Sequence, residues 1–288
     1  MREWETAIKI DQLTKYYHGK GVCAEKYRGV KSISLAVQNG DIFGFLGPNG
    51  AGKSTTIRCM LGMLRFQEGK IHLLQRDVCK ENTEILKQVG YLPSETMFYP
   101  SMKVKEIIRF AAQARRMDCS REAEKICQRL EIDMEKRIGE LSLGNRKKVG
   151  IVCAMQHKPE LLIMDEPTSG LDPLMQEAFF QLLLEYNAEG TTCFLSSHVL
   201  SEVKRYCKNA AIIKEGQIIR TDSVANLMKS EVRLVKIWKN GNIQEYSYAG
   251  EMKALIQKLY EMQVDDVLIE EPSLEEHFMH YYETEVGE

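Results

Sequence analysis

Residues 47–56, reading GPNGAGKSTT, have the types and spacing of a polyphosphate cradle. They fit G-x-x-x-x-G-K-[ST] at every fixed position. Gly47, Gly50 and Gly52, with Pro48, Asn49 and Ala51 among them, can turn successive backbone N–H groups inward. A helix N-terminus directly after such a loop adds partial positive charge. Lys53 would then reach the β- and γ-phosphates of a nucleoside triphosphate, and Ser54 would offer its hydroxyl to magnesium, with Thr55 next in the same phosphate-contacting run.

A second set of reactive groups stands far along the chain. ELLIMDEP is a continuous apolar run that ends in two acids, the pattern of a strand buried in a parallel sheet. Its carboxyl end would face a ligand. Asp165 there can hold magnesium through water, and Glu166 can orient and deprotonate an attacking water. TTCFLSSHVL reads as another core strand, ending on Ser196, Ser197 and His198. That histidine would share an edge with Lys53 and Asp165 and bond a γ-phosphate oxygen. In ELSLGNRKKVGIVCAMQHKP a serine or asparagine cap precedes a helical apolar face, which puts Ser142, Leu143, Gly144 and Asn145 at a helix N-terminus. Tyr17 precedes the phosphate loop's own strand; its ring either stacks on a purine or packs against neighbouring strand residues.

The elements that must position these groups can be read around them. IFGFLG before the loop is apolar and β-prone, and TTIRCMLGMLR after it has helical spacing, so the glycines lie on a strand-to-helix turn. AIKIDQLTKYY opens the fold as a strand, and SISLAVQNGDIFGFLG alternates and turns at Asn39-Gly40. EGKIHLLQRDV and QVGYLPS read as short strands, the second halted by Pro93. Residues from about 97 to 157 carry mainly helical periodicity, an insertion between strands. AAIIKEGQIIRTD is a hairpin turning at Glu215-Gly216, and DSVANLMKS a short helix. From about residue 231 the character changes. A hairpin with an Asn240-Gly241 turn, the helix EMKALIQKLYEMQ, the strand DDVLIEE and a closing helix SLEEHFMHYYE describe a small separate α+β domain. His277 and His280 on that last helix read as surface histidines, because no cysteine or acid pattern supports a metal there.

With 288 residues and 44% hydrophobic content, one large domain and one small one can each bury a core. A net charge of −2 gives no general footprint for nucleic acid. The eight cysteines are scattered, without C-x-x-C spacing, and read as reduced thiols. The start lacks a signal peptide's apolar core, and no apolar run approaches the ~20 residues that cross a bilayer.

Taken together, the full phosphate loop, LLIMDEP, the SGLD turn after it and the histidine of SSH resemble the ATP-binding subunits of ABC transporters. The resemblance implies an α/β fold: a P-loop NTPase cassette with a RecA-like core, an antiparallel β subdomain and a helical subdomain at about 97–157. The cassette would occupy 1–225, and 226–288 would be a small C-terminal accessory domain. It implies ATP and Mg2+ as ligands, Tyr17 as the adenine-stacking ring, Asp165 as the Walker B aspartate and Glu166 as the catalytic base. Asp172 would be the D-loop acid and His198 the switch histidine. The sequence departs from the family at two places. LSLGN stands where the family has LSGGQ, although Ser142 and Gly144, which would touch the γ-phosphate bound by an opposite protomer, are kept. GYLPSE lacks the usual glutamine, so either Ser94 or Glu95 would stand near the magnesium.

These departures and the ending EEPSLEEHFMHYYE are similar to bacterial exporters whose ATPase serves a separately encoded ABC-2 type permease. The implied mechanism is head-to-tail closure of two ATPase subunits around ATP, at the cytoplasmic face of the membrane. The pair would be two copies of this chain or one copy with a related subunit. Residues between Ser94 and about Pro100 would contact the permease. Two other readings keep the nucleotide site: an ABC-type protein acting on ribosomes or DNA, and a nucleotide-binding regulator that barely hydrolyses. One cassette without coiled-coil heptads or a basic tail opposes the first, and intact Asp165, Glu166 and His198 oppose the second. The transported substrate is not written in the cassette.

Overall fold

The computed structural model describes residues 6–17, 28–228, 232–239 and 241–270. The chain forms two compact units, Met1–Asp222 and Ser223–Glu288. The first begins with β1 (Thr6–Tyr17), β2 (Arg28–Gln38) and β3 (Ile42–Leu46), then α1 (Lys53–Met60), β4 (Glu68–Leu73), β5 (Arg76–Asp77), α2 (Val78–Gln88) and β6 (Val89–Leu92). A helical stretch follows, made of α3 (Val104–Ala114), α4 (Ser120–Arg129), a single 3-10 turn at Ile138–Glu140 and α5 (Leu143–Met155). The chain then returns through β7 (Leu161–Asp165), α6 (Pro173–Ala188), β8 (Thr192–Ser197), α7 (Leu200–Tyr206), β9 (Asn209–Lys214) and β10 (Gln217–Ser223).

Two sheets result. The antiparallel sheet runs β2-β1-β4-β5, and the six-stranded sheet runs β10-β9-β3-β8-β7-β6. In the second, β9, β3, β8, β7 and β6 are mutually parallel. Every residue of β3, β7 and β8 is buried, as a parallel strand covered on both faces requires. Ile57 and Met60 of α1 fill a shared core with Ile8 and Ile10 of β1 and Phe45 and Ile163 of the parallel sheet. Phe194 lies stacked on Phe43, with ring centroids 5.9 Å apart.

The Asn39-Gly40 turn does not close a hairpin. It passes the chain from the antiparallel sheet to the parallel one, because β2 pairs with β1 while β3 pairs with β8 and β9. Two helices carry no counterpart in the sequence reading: α2, seated on an Asp77 cap, and the seven-residue α7.

The second unit, described by itself, has α8 (Val224–Leu227), β11 (Val232–Lys239), β12 (Asn242–Ala249), α9 (Met252–Met262) and β13 (Asp266–Glu270). Its sheet is antiparallel in the order β12-β11-β13. Val235 and Ile237 of β11 meet Leu255 and Leu259 of α9 in a small core. Asn240, the closing helix SLEEHFMHYYE, His277 and His280 lie outside the described residues, as does Cys23. The other seven cysteines are free thiols. No helix among the described residues is long and apolar enough to cross a membrane.

Candidate nucleotide site

The strand order makes the site. β3, β8, β7 and β6 are consecutive neighbours and parallel, so the segments that leave their carboxyl ends emerge side by side on one edge. They deliver the 47–52 loop, Ser197-His198, Asp165-Glu166 and Pro93-Ser94 respectively. This is the edge where parallel α/β sheets bind ligands.

In the phosphate loop, Gly47, Ala51 and Lys53 are buried, Gly52, Ser54 and Thr55 half-buried, and Pro48, Asn49 and Gly50 exposed. Gly50 and Gly52 take φ of +83° and +110°, a region that β-carbons oppose. A Cβ at Gly52 would also come within 2.7 Å of Val30. The Lys53 ammonium donates to the carbonyls of Gly47 at 2.7 Å and Pro48 at 3.2 Å. Lys53 therefore lies folded along the inside of its own loop.

Glu166 joins the strand ends. Its Oε1 is 3.2 Å from Lys53 Nζ, and its Oε2 is 2.7 Å from His198 Nδ1. Its backbone is held in the left-handed region at φ +50°, and its N–H donates to the Ser196 carbonyl and hydroxyl, both at 3.2 Å. The Ser196 hydroxyl in turn donates to Asp165 Oδ1. Ser196 of β8 thus fixes the Asp165 carboxylate at the end of β7 and the backbone of Glu166 after it. Tyr17 is exposed at the end of β1, and its hydroxyl sits 3.3 Å from Thr55 Oγ1, with Lys15 5.5 Å over its ring.

Ser142, Gly144 and Asp172 form a second cluster. Ser142 caps α5, accepting from Asn145 N–H at 3.2 Å, and Asp172 caps α6, accepting from Met175 N–H at 3.1 Å. The start of α5 lies so close to the turn before Asp172 that a Cβ on Gly144 would meet the Gly170 carbonyl at 2.4 Å. Within one chain no hydrogen bond or ion pair joins Ser142 or Asp172 to Lys53, Glu166 or His198 among the described residues. Ser94 is half-buried and Glu95 exposed.

One group at this edge was not read from the sequence. Lys147 of α5 is 2% exposed, and its ammonium donates to the carbonyls of Pro93 at 3.0 Å, Ser94 at 2.8 Å and Asp165 at 3.4 Å. Burial pushes its pKa down to about 8, against the pull of Asp165 and Glu166. The available signal was a lysine pair at the start of the apolar run VGIVCAM.

The residues present fit a magnesium-bound triphosphate. Glycines with positive φ line a loop that ends on a helix N-terminus, and the nearby acids and hydroxyls are the hard oxygen donors magnesium takes. The profile of the ABC transporter family matches residues 30–169. The bacitracin transport ATP-binding protein BcrA of Bacillus licheniformis is 30% identical over 95% of this chain and 96% of its own length. The chain belongs to the ABC transporter family. The linearmycin resistance ATP-binding protein LnrL of Bacillus subtilis is 33% identical over 76% of this chain and 70% of its own. A solved ATP-binding subunit of an ABC transporter superposes with a TM-score of 0.69 at 27% identity, covering 77% of this chain and 92% of that one. As an ATP-binding subunit of this family, the chain is an ATP hydrolase with the ABC cassette fold. Such subunits work as paired ATPase domains on a membrane permease.

Proposed function

We propose that this chain powers export through a separately encoded ABC-2 type permease, closing head to tail with a second ATPase subunit, most simply another copy of itself. The observation that carries the catalytic part is Glu166, whose two carboxylate oxygens reach Lys53 at the start of α1 and His198 just after β8. Glu166 takes the proton of the attacking water, Lys53 holds the β- and γ-phosphates and His198 bonds the γ-phosphate. Ser54 and Asp165 hold magnesium, with Ser94 or Glu95 beside it, and the ion when bound neutralises phosphate charge. Tyr17 stacks on the adenine, residues 47–55 wrap the phosphates, and Ser142, Gly144 and Asp172 serve the nucleotide of the opposite subunit.

The γ-phosphate drives the cycle because it favours the closed pair, and a ligand shifts an equilibrium only through such differential binding. Residues up to about 225 make the ATPase domain, and 226–288 an accessory domain. The chain itself sits at the cytoplasmic face of the membrane, held there by the permease. Export as the direction draws support from relatives named for bacitracin transport and linearmycin resistance.

The test is capture from detergent-solubilised membranes of the source organism with tagged chain carrying Glu166→Gln. Recovery of a multi-spanning partner together with ATP-dependent pairing is expected. Ribosomal proteins or DNA without a membrane protein would overturn the export reading.

A further inference from the structure

Lys147 belongs to none of the groups assigned above to the nucleotide, yet it is 2% exposed, nearly as deeply buried as Asp165 at this edge of the sheet. A buried ammonium is costly unless its donors are met. Here its three N–H groups face three backbone carbonyls from two different strand ends, those of Pro93 and Ser94 after β6 and that of Asp165 at the end of β7. Hydrogen bonds from a charged donor are the stronger kind, so each carbonyl is held more firmly than a neutral amide would hold it.

The helix that carries Lys147 is brought close enough for this by a glycine one turn on. A Cβ at Gly150 would lie 2.5 Å from Thr96 and 2.8 Å from Leu92, so α5 rests directly on the segment after β6. The same helix is capped by Ser142 five residues earlier. One side chain therefore ties the start of α5, the Ser94 turn and the peptide that joins Asp165 to Glu166.

We infer that Lys147 is a positioning residue for ATP hydrolysis: its ammonium fixes the Asp165-Glu166 peptide and the Ser94 turn against α5, so that turnover depends on it and nucleotide binding does not. Where the family carries a glutamine in the turn after β6, this chain has Ser94-Glu95, and here Lys147 of α5 links that turn to the end of β7. The inference rests on the reading of Asp165 and Glu166 given above.

The experiment compares Lys147→Met and Lys147→Gln with the native chain. Methionine keeps the length and apolar stem but removes the donors to all three carbonyls. Glutamine restores up to two donors. Because displacements near 1 Å can cost about a hundred-fold in rate, kcat of K147M is expected to fall by about ten- to a hundred-fold. Its KM and its Kd for ATP should stay within about two-fold, since Lys53 and the phosphate loop are untouched, and K147Q should recover part of the rate. Native kcat in K147M overturns the inference. So does parallel loss of kcat and ATP affinity in both variants, which marks Lys147 as a packing residue. If K147M does not fold, K147Q carries the same comparison: reduced kcat at native KM supports the inference, and native kcat overturns it. Glu166→Gln, assayed alongside, separates the two levels, because turnover by that variant removes the reading of Glu166 whatever Lys147 does.

Discussion

Replacing Glu166 by glutamine should make the protein bind ATP more tightly while it stops hydrolysing it. The Glu166 carboxylate lies 3.2 Å from the Lys53 ammonium, and in the function proposed above the phosphates of ATP need that same ammonium. At 3.2 Å two unit charges in a partly buried site attract with about 5 kcal/mol at an effective dielectric of about 20. Most of that is offset by desolvation, and a pair of this exposure, 6% and 16%, contributes a net ~1 kcal/mol. ATP must displace it. Removing the negative charge should therefore tighten binding by about five-fold, since ~1.4 kcal/mol is ten-fold. Turnover should fall by about 10² to 10⁴, the range that a positioned base contributes. Equilibrium binding of labelled ATP and steady-state phosphate release read the two effects separately. The amide keeps the shape of the side chain and can still bond His198, so a collapse of the site would not imitate the result. Tighter binding with normal hydrolysis would refute the base assignment, and lost hydrolysis with unchanged or weaker binding would refute the competition for Lys53.

Three further outcomes follow from contacts elsewhere. Gly144→Ala forces a Cβ to within 2.4 Å of the Gly170 carbonyl, so the start of α5 or the turn before Asp172 must move; a stability loss of about 1–3 kcal/mol is expected in thermal melts, with reduced turnover. Ser142→Ala removes the α5 cap and should cost about 1 kcal/mol in urea unfolding, again with a loss of phosphate release beyond what the lowered stability explains. His157 is 6% exposed, and burial, aided by the Arg115 guanidinium, pushes its pKa down to about 4. Between pH ~6.5 and ~4 the unfolded chain takes a proton that the folded chain refuses, so stability falls as pH falls, by up to about 3 kcal/mol. His157→Leu should flatten that acid limb in urea titrations; an unchanged slope would assign it to other groups.

How much was legible in the sequence differs from element to element. The strand before the phosphate loop, the helix after it and the LLIMD strand were readable because their signals are local: apolar runs and periodicities within about ten residues. α2 and α7 escaped because one is polar and interrupted by a non-helical Glu81, and the other has only seven residues, too few for periodicity to accumulate. The Asn39-Gly40 turn was visible as a turn, but whether it closes a hairpin or crosses between sheets depends on which strands β2 and β3 pair with. Pairing is a long-range property.

For the site, the sequence by itself determined the candidate groups: a phosphate-loop pattern with Lys53 and Ser54, acids at a strand end and a histidine at another, each recognisable because residue type and immediate context carry the meaning. Only the tertiary structure decided the assembly. The order β3-β8-β7-β6 brings Lys53, His198, Asp165 and Glu166 to one edge, and Ser196 bonds both acids across strands. It also decided that Lys147, which in sequence is one of two adjacent lysines, stands buried with its ammonium on three carbonyls. The physical reason is that burial and hydrogen-bond partners are set by packing between segments far apart in the chain, which no local pattern encodes.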